Sequence, residues 1–305
     1  MMKNFFLFII IMCFIPPAIA QRKGLKPEIG VVQDFEKDSL LYAIGYGSLV
    51  ESVAKCFSPR KVSEQQFLDN LEKFKKLRIP LYAVNIFVPG DLKLVGPEVD
   101  EAAVLAYVDG VFVRCKQAGV RRIIWGSGGA RRVPDGFDKG KAKEQFISIA
   151  RKVALAAKKY GIDLALENLN HTETNFINTA EEALDIVKKV DHPNFRLCID
   201  IYHMLKEGEP ASVIEKSKEY LVHCEVAEKE SRTPPGVKGD DFREYLTALK
   251  KIGYTGKIIV ECRWENVDLQ AGLAFKSLQK QIDEVYRNEP LEPYYQYTVS
   301  RPGVY

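Results

Sequence analysis

The sequence predicts a single (β/α)8 TIM barrel, an α/β fold, and three features carry that prediction. Stretches with helical periodicity alternate with short apolar runs from end to end, as βα units require. Three helical stretches end in glycine just before an apolar run, in AGVRRIIW, YGIDLALE and IGYTGKIIVE. Glycine there ends a helix in a left-handed conformation, and the chain returns as the next strand. The length also fits, since such barrels usually take roughly 250 residues.

The first 20 residues are expected to lie outside the barrel. Lys3 supplies a basic start, residues 5–15 are apolar but too few to span a bilayer, and residues 18–20 are the small or apolar residues A-I-A. This pattern is typical of a cleaved signal peptide. The mature chain is therefore expected to begin at Gln21 and to be exported, periplasmic or secreted, without a membrane anchor. An uncleaved membrane anchor is the alternative.

The composition excludes several classes of partner and site. The formal net charge is +3, and removing the +1 of Lys3 leaves +2 for the mature chain, which is too balanced for a nucleic-acid or membrane partner. Five of the six cysteines would remain after cleavage, mostly within apolar runs and without CxxC spacing. Buried free thiols are therefore expected, rather than a disulfide framework or a zinc site.

The expected elements follow one another without a long linker. Strands are expected near residues 29–33, 46–52, 81–87, 122–125, 162–167, 195–200, 220–225 and 257–261, since these runs resemble buried parallel strands. Apolar stripes predict helices over 63–77, 101–118, 139–160, 179–190, 241–252 and 267–286. Ser63 with Gln66 and Thr179 with Glu182 have the spacing of capping boxes. The barrel is expected over residues 21–287, followed by a Tyr- and Pro-rich tail at 288–305.

Four of the apolar runs end in an acidic residue: Glu167, Asp200, Glu225 and Glu261. Active sites of these barrels lie at the C-terminal ends of the strands, and clustered carboxylates repel one another unless a cation lies between them. The four acids are therefore predicted to bind a divalent metal ion. Mn²⁺ or Mg²⁺ is favoured over Zn²⁺ because the ligands are oxygens. The alternative is that some of them form ordinary salt bridges with Arg196, Arg232 or Arg263.

Other side chains are expected at the same end of the barrel. Strand alternation turns His223 to the same face as Glu225, and His203 follows Asp200 by three residues. Trp125 ends the fourth strand and is a candidate platform for the CH face of a sugar, with packing at the barrel rim as the alternative.

The loop after Trp125 has the sequence WGSGGARRVPDG and contains Arg131 and Arg132. One interpretation is a flexible wall of the pocket, from which an arginine reaches a substrate hydroxyl or carboxylate. The other is a solvated turn with surface arginines.

Residues 164–263 resemble the xylose isomerase-like TIM-barrel superfamily, in particular the D-tagatose 3-epimerase-like sugar epimerases. The segments that carry the resemblance are LALENLNHTETNFINTAEEALDIVKKV, LCIDIYHM, HCEVAEKESRTPPG and IIVECRW. The resemblance implies that Glu167 and Glu261 are the catalytic glutamates and that Asp200 is a metal ligand. The predicted substrate contacts are Glu173, His203, His223, Arg232 and Trp125.

The chain departs from the family pattern at two places. Counting back from Glu228, the metal-binding histidine of the family falls on Glu225, and His223 is the alternative ligand. An all-oxygen shell of Glu167, Asp200, Glu225 and Glu261 adds a negative charge, which is expected to hold the metal more tightly and weaken its Lewis acidity. One extra residue before Arg232 loosens the match of that arginine.

The resemblance implies proton abstraction next to a ketone, with Glu167 and Glu261 taking and returning the proton through an enediolate. The product is an epimer or an aldose–ketose isomer. Export favours a free small-molecule sugar or glycoside as substrate over a sugar phosphate. The alternatives are a 3-keto-glycoside lyase, which eliminates the aglycone on the same scaffold, and a non-catalytic sugar-binding barrel. The sequence is also compatible with a homo-oligomer.

Overall fold

The computed structural model describes residues 26–287, in which eight parallel strands form a closed barrel in sequence order. The strands are β1 (Glu28–Val32), β2 (Ser48–Ser52), β3 (Leu81–Asn85), β4 (Arg122–Trp125), β5 (Asp163–Glu167), β6 (Phe195–Asp200), β7 (Leu221–Val226) and β8 (Lys257–Val260). Pairing of β1 with β8 closes the barrel. The predicted fold class is confirmed. The predicted signal peptide and the tail at 288–305 lie outside the described residues.

The helices surround this barrel. They are α1 (Asp38–Ile44), α2 (Glu64–Phe74), α3 (Glu101–Gln117), α4 (Gly128–Arg131), α5 (Lys139–Tyr160), α6 (Ala180–Val190), α7 (Ile201–Glu207), α8 (Ser212–Lys216), α9 (Arg243–Lys251) and α10 (Val267–Arg287). The six predicted helices correspond to α2, α3, α5, α6, α9 and α10. The other four α-helices have no signal in the sequence, since they have seven residues or fewer and are too short to show an apolar stripe.

Local hydrogen bonds explain where the helices begin and end. The Ser63 hydroxyl accepts from the Gln66 amide at 3.2 Å and the Gln66 side chain accepts from the Ser63 amide at 2.9 Å, a complete capping box. Thr179 caps α6 in the same way, but the Glu182 carboxylate accepts from Asn178 instead, so the second predicted box forms only in part. Gly161 ends α5 at φ 68°, where a Cβ would strain the backbone.

Strand alternation sorts the side chains into two apolar layers. Small and branched residues fill the barrel interior: Val50, Ala83, Ile124, Ala165, Cys198 and Ile259. A larger cluster, which includes Trp125 and Phe146, lies between the strands and the helices. Full burial of one such large side chain stabilises the fold by about 1.5–3 kcal/mol. The polar residues at the strand ends therefore stand on a rigid, packed base.

All five cysteines of the described residues are free, as expected. Within residues 26–287, no helix has both the length and the apolar character needed to cross a bilayer.

Candidate metal centre and active site

The four acids predicted from the strand ends converge at one end of the barrel. Glu167, Asp200, Glu225 and Glu261 each offer a carboxylate oxygen, and these oxygens all lie within 4.8 Å of one another. Neighbouring strands are offset in register. Glu167 pairs with Cys198, two residues before Asp200, and Glu225 pairs with Ile259, two residues before Glu261, whereas Asp200 and Glu225 pair directly. This stagger, which every closed barrel needs, brings acids from four successive strands to one point.

The acids are buried to different depths. Asp200 and Glu225 are 0% exposed, whereas the Glu261 side chain is 18% exposed. Burial raises the pKa of Asp200 to about 6. Burial, followed by the charge of Glu261, raises the pKa of Glu167 and of Glu225 well above the usual range of a carboxyl. Negative charge at this point is therefore costly without a balancing cation.

Arg232 supplies part of that balance. Its Nη2 donates to Asp200 Oδ2 at 3.0 Å and to Glu261 Oε2, and its Nη1 lies 3.4 Å from Glu173 Oε1. Burial acts to lower the pKa of Arg232, but the neighbouring carboxylates outweigh it and raise that pKa, so the guanidinium stays charged. The alternative that arginine neutralises the acids thus holds in part. Arg196 donates to the carbonyl of Pro193 instead.

The residues present fit a divalent metal ion. The charge of Arg232 offsets one of four carboxylates, and no arginine or lysine forms an ion pair with Glu167 or Glu225 within the described residues. Oxygens that ligate a hard cation at about 2.0–2.6 Å lie within roughly 4–5 Å of one another, which matches the observed cluster. The donor set of carboxylate oxygens suits Mg²⁺ or Mn²⁺.

His203 lies beside this cluster on α7. Its Nδ1 accepts a hydrogen bond from the Asn170 amide at 3.0 Å, from which we infer that the proton of the neutral ring is on Nε2. Nε2 lies 3.3 Å from Asp200 Oδ2 and 3.6 Å from Glu167 Oε1, and it has no hydrogen-bond partner among the described residues. Burial lowers the pKa of His203, so the ring is a neutral donor.

His223 does not reach the cavity. It is 0% exposed inside the barrel, stacks on Tyr82, and has Nε2 at 3.1 Å from Glu225 Oε1. His223 and Glu225 lie two residues apart on β7, so their side chains do point to the same face of the strand. His223 lies further from the strand end, and therefore deeper inside the barrel than Glu225. The structure therefore contradicts the predicted substrate contact. His223, Cys198 and Glu225 form a second group with metal-ligand spacing, so the alternative ligand role of His223 stays open.

Trp125 also lies away from the cavity. Its ring is 0% exposed and packs against Phe87, Phe146 and Phe195 between the strands and the helices. Ile124 faces the barrel interior, so its neighbour must face outward. The prediction of a sugar platform was wrong, and the alternative of packing is correct.

The two arginines of the following loop contact backbone rather than substrate space. Arg131 is 0% exposed and donates to the carbonyls of Glu167 at 2.8 Å and Ile177 at 3.2 Å. Burial lowers the pKa of Arg131 to about 10. Arg132 donates to the carbonyl of Glu173 at 2.9 Å. Neither interpretation of this loop was correct for Arg131, which acts as an internal brace.

Two polar residues of the site were missed from the sequence. Asn85 ends β3 as the acids end their strands, and its Nδ2 donates to Glu261 Oε1 at 2.8 Å. Glu228 is 0% exposed and accepts from the amides of Gly236 at 2.7 Å and Gly239 at 2.9 Å, thereby holding the loop that carries Arg232. A search of strand ends for amides as well as acids would have found Asn85.

A cleft of about 500 Å³ opens above the acids. On one side it is lined by Glu167, Glu173, Arg232 and Glu261, which together with Asp200 and Glu225 we call the acidic side. On the other side the lining comes largely from residues 86–91 and 126–129, the loops after β3 and β4, which we call the loop wall. Gly126 must lack a side chain because a Cβ there would collide with Glu167 Oε2.

Comparison with known proteins identifies related sequences and folds. The family described as "Xylose isomerase-like TIM barrel" matches residues 43–284. A D-psicose 3-epimerase of Ruminiclostridium cellulolyticum is 37% identical over 126 residues, which cover 41% of this chain and 43% of that protein. An inosose isomerase of Bacillus subtilis is 27% identical over 192 residues, which cover 58% of this chain and 66% of that protein.

The fold also resembles solved structures. A 3-keto-D-glucoside 4-epimerase from E. coli superimposes with a TM-score of 0.68 at 19% identity, covering 84% of this chain and 99% of that one. At this identity the likeness concerns the fold alone. The sequence matches span 43% of the D-psicose 3-epimerase and 66% of the inosose isomerase, less than two thirds of each curated relative.

Proposed function

The chain belongs to the xylose isomerase-like TIM-barrel family, and on that premise we propose that it is a metal-dependent sugar isomerase or epimerase. Its relatives include enzymes named as D-psicose 3-epimerase and inosose isomerase. The substrate proposed for this chain is a small sugar with a ketone group. The reaction proposed is removal of a proton next to that ketone and its return to the other face or to the neighbouring carbon.

One observation carries this proposal: two of the four clustered acids reach the cleft and two do not. Glu167 and Glu261 line the cleft from β5 and from the end of β8, whereas Asp200 and Glu225 are wholly buried beneath them. All four acids are placed to hold one cation, and the two that line the cleft are also placed to exchange a proton with a substrate.

The cation would be held by Glu167, Asp200, Glu225 and Glu261. When bound, it supplies Lewis-acid chemistry that polarises a carbonyl and stabilises the negative charge of an enediolate. Glu167 and Glu261 take and return the proton, and Asn85 holds Glu261 in place through its 2.8 Å hydrogen bond. Arg232, a charged donor that lines the cleft, is positioned to bind sugar oxygens, and its Nη1 lies 3.4 Å from Glu173 Oε1. His203 is 0% exposed and is not part of the cleft lining, and its Nε2 lies beside Asp200 and Glu167.

Deuterium exchange tests this proposal directly. The mature chain is incubated in D₂O with Mn²⁺ or Mg²⁺ and each of D-psicose, D-fructose, D-tagatose, L-ribulose and an inosose, followed by proton NMR. We expect loss of one C–H signal next to the ketone and growth of an epimer or isomer. Omission of the metal, with chelator present, is the control. Absence of exchange from every sugar with either metal would overturn the proposal, and binding without exchange would support the sugar-binding barrel.

A 3-keto-glycoside lyase is the second candidate, and the size of the cleft favours it. The space of about 500 Å³ exceeds what a single monosaccharide needs. Release of the aglycone from a phenyl 3-keto-glucoside, without formation of an epimer, would favour the lyase.

We also propose that the protein is exported, on the basis of residues 1–20 alone. Expression of the full chain in a Gram-negative host, followed by fractionation and mass measurement, should give a periplasmic product that begins at Gln21. A cytoplasmic product that keeps Met1 would contradict export.

A further inference from the structure

The loop wall has no part in the proton transfer proposed above, yet it forms a large share of the cleft. The lining away from the acids combines the polar residues Ser58, Lys61, Asp91 and Ser127 with the apolar residues Ala54, Ile86, Val88 and Pro89 and the ring of Tyr107. Of these apolar residues, Ile86 is the most exposed large one, at 55%. The polar groups that bind and transform a ketone lie on the acidic side. The cleft therefore has charged groups on the acidic side and an apolar surface around Ile86 on the loop wall.

The cleft is larger than one sugar. A ketohexose has twelve non-hydrogen atoms, and even at the roughly 30 Å³ that a water molecule takes in the liquid it needs less than about 360 Å³. The cleft holds about 500 Å³. The loop wall lines this cleft, so it is available to contact the part of a substrate that extends beyond one sugar.

Ile86 is the unusual residue of the loop wall. It follows β3 directly after Asn85, with φ at 53°, a left-handed conformation that is a clear outlier for a β-branched residue. Its side chain is 55% exposed although it is apolar. A strained backbone with an exposed aliphatic side chain lowers stability, and such strain is typically found at ligand-binding positions.

The structure around Ile86 is braced and holds this conformation. The Val88 amide donates to the Ser127 hydroxyl at 2.9 Å, and the Leu94 amide donates to the Ala130 carbonyl at 2.8 Å. Gly90 and Gly129 lie so close that a Cβ on Gly129 would be 3.4 Å from the Gly90 Cα. The loops after β3 and β4 thus form one unit, which presents Ile86 to the cleft as a fixed surface.

We propose that the loop wall is a second subsite, in which Ile86 packs against the face of a ring joined to the sugar through a glycosidic oxygen. This inference rests on the proposed function, since it assigns a glycoside rather than a free monosaccharide to the same cleft. The chemistry recognised is an apolar ring face, which an aryl group and a second sugar both offer. Ile86 is the specificity-determining residue.

Binding measurements test the subsite without relying on turnover. Isothermal titration calorimetry of the Mn²⁺-loaded mature chain compares methyl β-D-glucopyranoside with phenyl β-D-glucopyranoside and with cellobiose. We expect phenyl glucoside, cellobiose or both to bind at least about tenfold more tightly than methyl glucoside, because the second ring buries apolar surface. Which of the two binds more tightly identifies the kind of ring.

Two variants assign the effect to Ile86. Ile86→Asn should reduce the preference to within about twofold while raising the melting temperature, because asparagine tolerates the left-handed conformation. Leu155→Asn is the matched control, since Leu155 is 57% exposed on α5 outside the cleft, and it should keep the preference. Ile86→Gly, which removes both strain and side chain, should behave as Ile86→Asn does.

The outcomes separate the subsite from the proposed function. Equal affinity for all three probes, no binding of any probe, or a preference that survives Ile86→Asn would overturn the subsite. If deuterium exchange is then still seen with free ketoses, the proposed function stands alone. A ring preference without exchange from any free ketose, and without exchange or aglycone release from phenyl 3-keto-glucoside, would uphold the subsite and reject the enzyme.

Discussion

The acidic side and the loop wall of the cleft are built in different ways. The acids of β5, β6 and β7 are the last or next-to-last residue of a buried strand and Glu261 directly follows β8, so the barrel itself sets their positions. The loop wall stands beyond the strand ends, on backbone contacts and on strained residues such as Ile86 and Ser127. In this fold the rigid strands hold the proposed reacting groups in place, while the loops beyond the strand ends are free to differ in the substrate that they contact.

Removal of a proposed proton-transfer group from the acidic side should have the largest effect. Glu167→Gln and Glu261→Gln should each lower the rate of deuterium exchange by about 10²–10⁴-fold, the range for general acid–base groups. Each variant should stay folded because glutamine is isosteric with the acid. Glu265→Gln, an exposed acid four residues beyond Glu261, is the control and should be neutral. A loss below tenfold in both variants would remove them from the chemistry.

Loss of the brace between the two sides should be the next largest effect. Arg131 follows β4 and donates to two carbonyls of the segment after β5. Arg131→Met should destabilise the protein by about 2–6 kcal/mol, because each of the two buried carbonyls that lose this donor costs about 1–3 kcal/mol. Urea unfolding measures this loss. Arg132→Met, next along the chain and more exposed, should change stability by less than about 0.5 kcal/mol. Equal effects would show that Arg131 is no brace.

Replacement of Glu225, the proposed ligand at the position of the family's histidine, should have an intermediate effect on the acidic side. Glu225→His removes one negative charge from the cluster, so the Kd for Mn²⁺ should rise about tenfold. The exchange rate at saturating Mn²⁺ should rise as well, because a less neutralised cation is a stronger Lewis acid. Calorimetry on chelator-treated protein measures the Kd. Glu173 lies outside the cluster of four acids, so Glu173→Gln is the control and should leave the Kd for Mn²⁺ unchanged. Unchanged affinity in Glu225→His would remove Glu225 from the ligands.

The smallest effect concerns Glu51, an acid near the end of β2 that lies outside the cleft lining. Glu51 is 3% exposed, accepts from the amides of Phe35 and Ser52, and has its pKa raised by burial. Its contribution to stability is thus fully present below the ordinary carboxyl pKa and is lost as the pH rises through the raised value. Urea unfolding should find Glu51→Gln similar to wild type at pH 4 and relatively more stable at pH 8. A difference that is constant with pH would contradict this.

Much of the fold and part of the site could be predicted from the sequence, for a physical reason. The helix that ends at Gly161 and the strand that ends at Glu167 can be predicted locally. The spacing of apolar residues and the stop residue both lie within a window of about twenty residues. The four acids were found because each ends such a run. The side of the strand on which Trp125 lies follows from the same period of two, since Ile124 faces the interior, and its misassignment was an error of inference rather than a missing signal.

Other features have no local signal. The hydrogen bond from Asn85 to Glu261 joins residues 176 positions apart, and the contact of Arg232 with Asp200 spans 32. Neither contact follows from spacing along the chain. The first depends on closure of the barrel, which brings the ends of β3 and β8 close together. The second depends on the loop that Glu228 holds, since that loop carries Arg232.

By itself the sequence determined the order of strands and helices, the stops between them and the four acids at strand ends. These depend on short-range burial and backbone preference. The tertiary structure was needed to show which acids reach the cleft and that the guanidinium of Arg232 forms ion pairs with two of them. It was also needed to show that Ile86 is held in a strained conformation on the loop wall. These depend on barrel closure, which brings distant segments together and supplies the contacts that outweigh local preference.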